Sequence, residues 1–221
     1  DARHRIAMAE GVTNWQIIET LKRIDYLRGD VSDVPAEGMM APYSYELRRG
    51  ETRQDVVNRM VTRQAEILNA AWDARAQDLP LSNKSEALIL ASIIEKETSV
   101  PDERPIVSSV FVNRLIRGMP LQTDPTVIYG ITRGEGVLGR GLRRSELDRE
   151  TPWNTYKIRG LPPTPIANPG RAAIEAALNP EATEYIFFVA DGAGRHAFAK
   201  TLAEHNRNVA AWRKIEAQSN N

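Results

Sequence analysis

A mostly helical α+β fold with one small β-hairpin is predicted for this 221-residue chain, and three observations predict it. Apolar residues recur at three- and four-residue steps between residues 51 and 75. A second helical stretch, 84–98, has a middle, Ala87 to Ala91 with Ile93 and Ile94, that is apolar nearly all round, which marks a buried helix. Near the C-terminal end a β-rich run at 185–190, a turn at Asp191-Gly192 and a return run at 196–198 make a hairpin pattern.

The first fifteen residues read as the end of a preceding unit, with Ile6, Met8 and Ala9 leading into Glu10-Gly11-Val12. Thr13 with Gln16 forms a capping box that opens a helix to about residue 26. Pro35, Gly38 and Pro42 mark a loop and a junction between subdomains, and 43–47 alternates enough for a short strand. Val56, Val57, Met60, Val61, Ile67, Leu68 and Trp72 then line one helical face. Asn83 and Glu86 cap the buried helix, which Pro101 is expected to close. A further helix over 105–117 turns Val107, Val110, Phe111 and Leu115 inward and stops at Gly118. Residues 119–170 are rich in Gly, Pro, Thr and Asn and read as loops and short helices. Asn168-Pro169 starts a helix to about residue 178, and Thr201 with Glu204 caps the last one.

Composition excludes several function classes. Lys plus Arg and Asp plus Glu number 29 each, so the net charge is zero and the basic excess expected of a nucleic-acid binder is missing. The chain has no cysteine, which removes disulfides, thiol nucleophiles and cysteine zinc sites. His4, His196 and His205 lack metal-ligand spacing, and His196 and His205 read as structural or surface groups. No G-x-S-x-G elbow or phosphate-binding glycine loop occurs. Arg143, Arg144 and Arg149 form a local basic patch that reads as a solvated face. No run reaches the roughly 18 apolar residues of a membrane span. The chain starts at Asp1 without an initiator methionine, as a trimmed or processed piece would.

Three clusters carry candidate chemistry. In Glu95-Lys96-Glu97-Thr98, Glu97 continues the stripe of Leu90, Ile93 and Ile94, in the last turn of its helix. Burial and the helix dipole both raise the pKa of a carboxyl placed there, which suits a proton donor. An ordinary solvated helix end has the same local spelling. The second cluster, 121–130, offers Gln122, Thr123, Asp124, Thr126 and Tyr129 on what reads as a rigid loop, suited either to a sugar or amide ligand or to its own Asx and Thr turns. The third, Trp153-Asn154-Thr155-Tyr156, sets aromatic faces beside an amide, a pairing that suits carbohydrate rings but also ordinary packing.

Five segments together resemble the endolytic murein transglycosylase (YceG-like) family: ASIIEKET at 91–98, VFVNRL at 110–115, LQTDPTVIYG at 121–130, NTYKIRGLPPTPIANPG at 154–170 and FVADGAGRHAFAKTLAEHN at 188–206. They stand in family order and cover the last 140 or so residues densely. The first 80 residues match more loosely: Glu10-Gly11 resembles the end of a LysM-like subdomain, and the junction's aromatic-rich wording is changed to Met39-Met40-Ala41.

The resemblance implies a lysozyme-like transglycosylase domain at 48–221, preceded at 1–47 by the remnant of the LysM-like subdomain and the junction. It implies cleavage of glycan strands between N-acetylmuramic acid and N-acetylglucosamine, leaving a 1,6-anhydro end, with neither metal nor cofactor. Glu97 falls on the family's catalytic glutamate, and Gln122, Thr123, Asp124, Tyr129, Asn154 and Tyr156 are expected around the sugar. Peptidoglycan is the implied partner, with wall synthases beside it and no nucleic acid. The full-length protein is expected to carry an N-terminal anchor in the inner membrane, with this part facing the periplasm. Two other readings stay open: a lysozyme-type hydrolase with Asp124 as second carboxylate, and a glycan-binding scaffold without catalysis.

Overall fold

The structure is a computed structural model, and it describes residues 4–219. Residues 1–3, at the start of the expected first unit, and 220–221, at the end of the expected second, lie outside the described residues. The architecture is α+β: eight α-helices and two small antiparallel sheets of two strands each, among the described residues.

The first sheet pairs β1 (His4–Ala7) with β2 (Ser44–Leu47), in register from His4 opposite Leu47 to Ala7 opposite Ser44. The strand at β2 was expected and β1 was not. Between them runs α1 (Asn14–Lys22), opened by the expected capping box: Thr13 accepts from the Gln16 N–H, and the Gln16 side chain accepts from the Thr13 N–H. The helix ends four residues earlier than its apolar spacing suggests. Arg53, at the start of the next helix, explains the early stop. Its guanidinium donates to the carbonyls of Leu21, Lys22, Ile24, Leu27 and Gly29, so the free carbonyls at the end of α1 are satisfied without another turn.

Helix α2 (Arg53–Asp73) links two apolar clusters. Val56, Val57 and Met60 from its first half pack with Met8, Ile17, Leu21, Met40, Tyr45 and Leu47. Ile67, Leu68 and Ala71 from its second half face the larger cluster, centred on α3 (Lys84–Glu97). Every residue of α3 from Ala87 to Ile94 is buried, as an all-round apolar helix requires. Its covering comes from α2, α4 (Arg104–Ile116), α5 (Asp124–Thr132) and α7 (Arg171–Leu178).

Pro101 does not close α3. The helix stops at Glu97, Thr98 turns to extended backbone, and Pro101 instead opens a short turn, Pro101–Glu103, ahead of α4. Residues 121–130 also depart from the expected loop. Pro125 in the first turn and Asp124 beside it suit a helix start, and α5 begins there. A small helix, α6 (Arg144–Asp148), follows, carrying the exposed basic patch. Helix α7 starts two residues after Pro169.

The C-terminal hairpin is as expected, with β3 (Phe187–Ala190) paired to β4 (His196–Ala199). Phe188 meets Phe111 of α4 edge-on, which seats the hairpin on the larger cluster. Helix α8 (Leu202–Ser219), opened by the Thr201–Glu204 capping box, packs on the hairpin. No helix among the described residues is long and apolar enough to cross a membrane.

The first segment is bolted to the helical body. Gly38, at φ +88°, passes so close to Pro165 that a Cβ would sit 2.7 Å from the ring, so only glycine fits there. Asn168, fully buried, accepts from the Met40 N–H and donates to Val12 and Asn14.

Candidate active site

Glu97 stands at the C-terminal end of α3, where the buried stripe of Leu90, Ile93 and Ile94 runs out into a cleft of about 450 Å³. Its carboxylate accepts a hydrogen bond from the Thr123 hydroxyl. Burial pushes its pKa above the ordinary carboxylate range. The Thr123 hydroxyl and nearby His196 pull it down, while Asp124 pushes it up again. The dominant effect is burial, so this carboxyl holds its proton further up the pH scale than a surface glutamate.

The neighbouring carboxylates of α3 and of the turn before α4 do other work. Glu95 caps the start of α7, its Oε2 accepting from the Gly170 N–H at 2.8 Å, and its Oε1 lies 3.9 Å from Arg104. Glu103 is 1 % exposed. Burial alone would raise its pKa, but donation from the His196 ring and backbone and from Thr98 takes it below the usual range. His196 is thereby fixed close to Glu97, with its ring edge-on to Phe188.

Gln122 turns the chain toward Glu97. It holds a left-handed conformation at φ +54°, and strain of about 1–3 kcal/mol is usual for such a residue. Its N–H donates to the Thr155 carbonyl, and the next N–H, of Thr123, donates to the Thr155 hydroxyl. The Thr126 hydroxyl donates to the Thr123 carbonyl and lies 2.8 Å from the Thr155 hydroxyl. These three buried threonines knot the 121–130 and 154–170 segments together behind the cleft. At the rim, the Tyr156 hydroxyl donates to Asp124 Oδ1 at 2.7 Å. Burial and that carboxylate both raise the Tyr156 pKa, so the phenol keeps its proton.

Glu97, Gln122, Thr123, Asp124 and Tyr156 therefore line one cleft. Tyr129 and Asn154 do not line it. Tyr129 packs against buried Trp153 and donates to Glu37 Oε2 at 3.0 Å, which ties α5 to the junction loop. Asn154 is fully buried, and its amide donates to the carbonyls of Leu147 and Arg149 while its oxygen accepts from the Tyr156 N–H. Both groups shape the cleft from behind.

The remaining lining, Arg114, Leu121, Phe187, Phe188, Val189, His205 and Val209, was not picked out as site residues from the sequence. Arg114 had a readable signal. It lies three, four and seven residues after Phe111, Val110 and Val107, so a charged residue occupies the inward stripe of α4. His205 had none, because its place in the cleft depends on how α8 docks on β3.

Comparison with known proteins bears on this geometry. The YceG-like family matches residues 1–211. An endolytic murein transglycosylase of Bacillus subtilis is 38 % identical over 176 residues, 78 % of this chain and 47 % of that protein. One from Streptococcus pneumoniae serotype 2 is 30 % identical over 181 residues, 79 % of this chain and 32 % of its own. The chain thus spans about half the length of the first of these relatives and about a third of the second. A crystal structure of a YceG-like protein from Listeria monocytogenes superimposes with a TM-score of 0.75 at 29 % identity, covering 94 % of this chain and 76 % of that one.

Proposed function

Because the chain belongs to the YceG-like family, we propose that it is the catalytic part of an endolytic murein transglycosylase. It cuts glycan strands internally between N-acetylmuramic acid and N-acetylglucosamine and leaves 1,6-anhydro ends, an activity of wall synthesis and glycan-length control. The observation that carries this reading is Glu97, a carboxyl whose pKa is raised by burial at the edge of a cleft.

A hydrolase ordinarily needs two carboxylates, whereas an intramolecular transfer runs on one. Glu97 gives its proton to the glycosidic oxygen as the bond from that oxygen to the muramic C1 breaks. The substrate's own N-acetyl oxygen stabilises the positive C1. Ionised Glu97, steadied by the Thr123 hydroxyl, then takes the proton of the C6 hydroxyl as O6 bonds to C1. Atoms balance without water, and Glu97 ends protonated as it began. Gln122, Asp124 and Tyr156 orient the sugar at the rim, while Tyr129 and Asn154 hold the cleft walls.

Within the same reading, residues 48–221 form a lysozyme-like catalytic domain and 1–47 are the remnant of a LysM-like subdomain with its junction. The two apolar clusters support that division, although α2 contributes to both. The whole protein is anchored in the inner membrane with this part in the periplasm, and wall synthases are its working partners.

Asp124, exposed in the same cleft, keeps one alternative in view: hydrolysis with Asp124 as second carboxylate. Mass spectrometry of products from purified glycan strands separates the readings. Transglycosylation gives ends one water lighter than hydrolysis does. Hydrated ends alone would contradict the proposal, and binding without cleavage would make the chain a scaffold.

A further inference from the structure

Arg114 is a cation in the cleft with no ion-pair partner among the described residues. It is 7 % exposed, yet all its hydrogen-bond partners are neutral. Its Nε donates to the Ile186 carbonyl at 2.7 Å, and Nη1 donates to the carbonyls of Pro120 and Leu121 and to Gln122 Oε1. Nη2 makes no hydrogen bond, and no carboxylate lies within ion-pair distance of the guanidinium, among the described residues. Burying a charge with no opposite charge beside it is costly. Here it is held next to the ring of Phe187, 5.3 Å from the centroid, at the wall of the site that contains Glu97.

His205 lies on the same wall. It stacks on Phe187 at 4.8 Å, and its Nδ1 is buried without a partner. Burial lowers its pKa and the Arg114 charge lowers it further, both favouring the neutral imidazole beside a fixed cation. An acceptor carrying negative charge suits this wall better than a neutral sugar hydroxyl, because charge-assisted hydrogen bonds are the stronger ones.

We propose that Arg114, with His205 beside it, forms a subsite for a carboxylate of the substrate. The proposal rests on the murein reading of the cleft and narrows its substrate class. Murein offers carboxylates from two sources: the lactyl group of N-acetylmuramic acid where the peptide has been removed, and the stem peptide itself. Arg114 also clamps the loop that carries Gln122, so a loss of activity on substitution would not by itself distinguish recognition from structure.

Binding measured by calorimetry makes that distinction. The chain carrying Glu97→Gln, which leaves the ligand uncut, is titrated with three probes: the N-acetylglucosaminyl-N-acetylmuramic acid disaccharide, its lactyl methyl ester, and the free stem tetrapeptide. A lactyl source predicts that the acid binds about ten-fold or more tightly than the ester. A stem source predicts that the tetrapeptide binds. Either signal should vanish when Arg114→Gln is added to a chain that still melts cooperatively. Should that variant fail to fold, the His205 ring resonances of the Glu97→Gln chain report instead, shifting with the carboxylate probe and not with the ester. Equal binding of acid and ester with no binding of the tetrapeptide overturns the proposal, as does a preference that survives Arg114→Gln. Because no cleavage is involved, failure here leaves the transglycosylase reading standing, while failure of the native chain to cut glycan strands leaves the carboxylate test intact.

Discussion

The pKa of Glu97 is set by competing influences that can be separated one side chain at a time. Burial raises its pKa, and donation from Thr123 lowers it by stabilising the ionised form. Thr123→Val keeps the shape and removes the donor, so the pKa must rise and the acid form must persist to higher pH. The alkaline limb of the kcat/KM profile is expected to move upward, while stability at alkaline pH falls by about 1–3 kcal/mol because a buried acceptor loses its partner. An unmoved limb would mean that Thr123 does not address the ionising group. Glu97 was readable because its stripe, Leu90, Ile93 and Ile94, is local in sequence. That Glu95 caps α7 was not readable, since its partner Gly170 is 75 residues away.

At the scale of elements, α5 couples the cleft to the first segment. Thr123 stands at its N-terminal end against Glu97, and Tyr129, further along, donates to Glu37 of the junction loop. Burial raises the pKa of Glu37, with the Asn14 N–H and the Tyr129 hydroxyl opposing the rise. Tyr129→Phe leaves a buried oxygen short of a donor and should cost about 1–3 kcal/mol in denaturant unfolding while changing kcat only a few-fold. A large loss of kcat at unchanged stability would put the Tyr129 hydroxyl on the substrate. The string of letters around Tyr129 and Asn154 resembles a sugar-binding motif, but it does not say which side of α5 faces the cleft. Helix starts were legible where a cap is local, as at Thr13, Asn83 and Thr201. The end of α1 was not, because Arg53 supplies its cap from another helix, and β1 was not, because its partner strand lies some forty residues on.

For the molecule as a whole, α2 belongs to both apolar clusters, so the two are expected to unfold in a single transition. Met60, fully buried in the first cluster, and Ile93, fully buried in the second, test this. Either residue replaced by alanine should cost about 2–5 kcal/mol. Each should lower one and the same calorimetric midpoint, by about 2–4 °C per kcal/mol for a chain of this size. A second transition in either variant would show two independently folding units. The overall class, mostly helical with a small hairpin, was legible because periodicity and caps are local signals. The cleft was not legible as a whole: it is assembled from α3, α4, α5, β3 and α8, and Arg114 and His205 enter it only once those elements dock.

Glu97→Gln tests most directly the claim that one buried carboxylic acid carries the reaction. The substitution keeps size and removes the transferable proton. Release of anhydro ends from glycan strands should fall by about a hundred- to ten-thousand-fold. The melting temperature gives the internal control. The folded-state pKa of Glu97 lies above its unfolded value, so native stability from this group is present at low pH and is lost as pH rises through the folded pKa. The variant, free of that loss, should melt at or above the native temperature at pH 8, with the gap closing toward pH 4. A variant that folds and still releases anhydro ends at the native rate would contradict the assignment of Glu97.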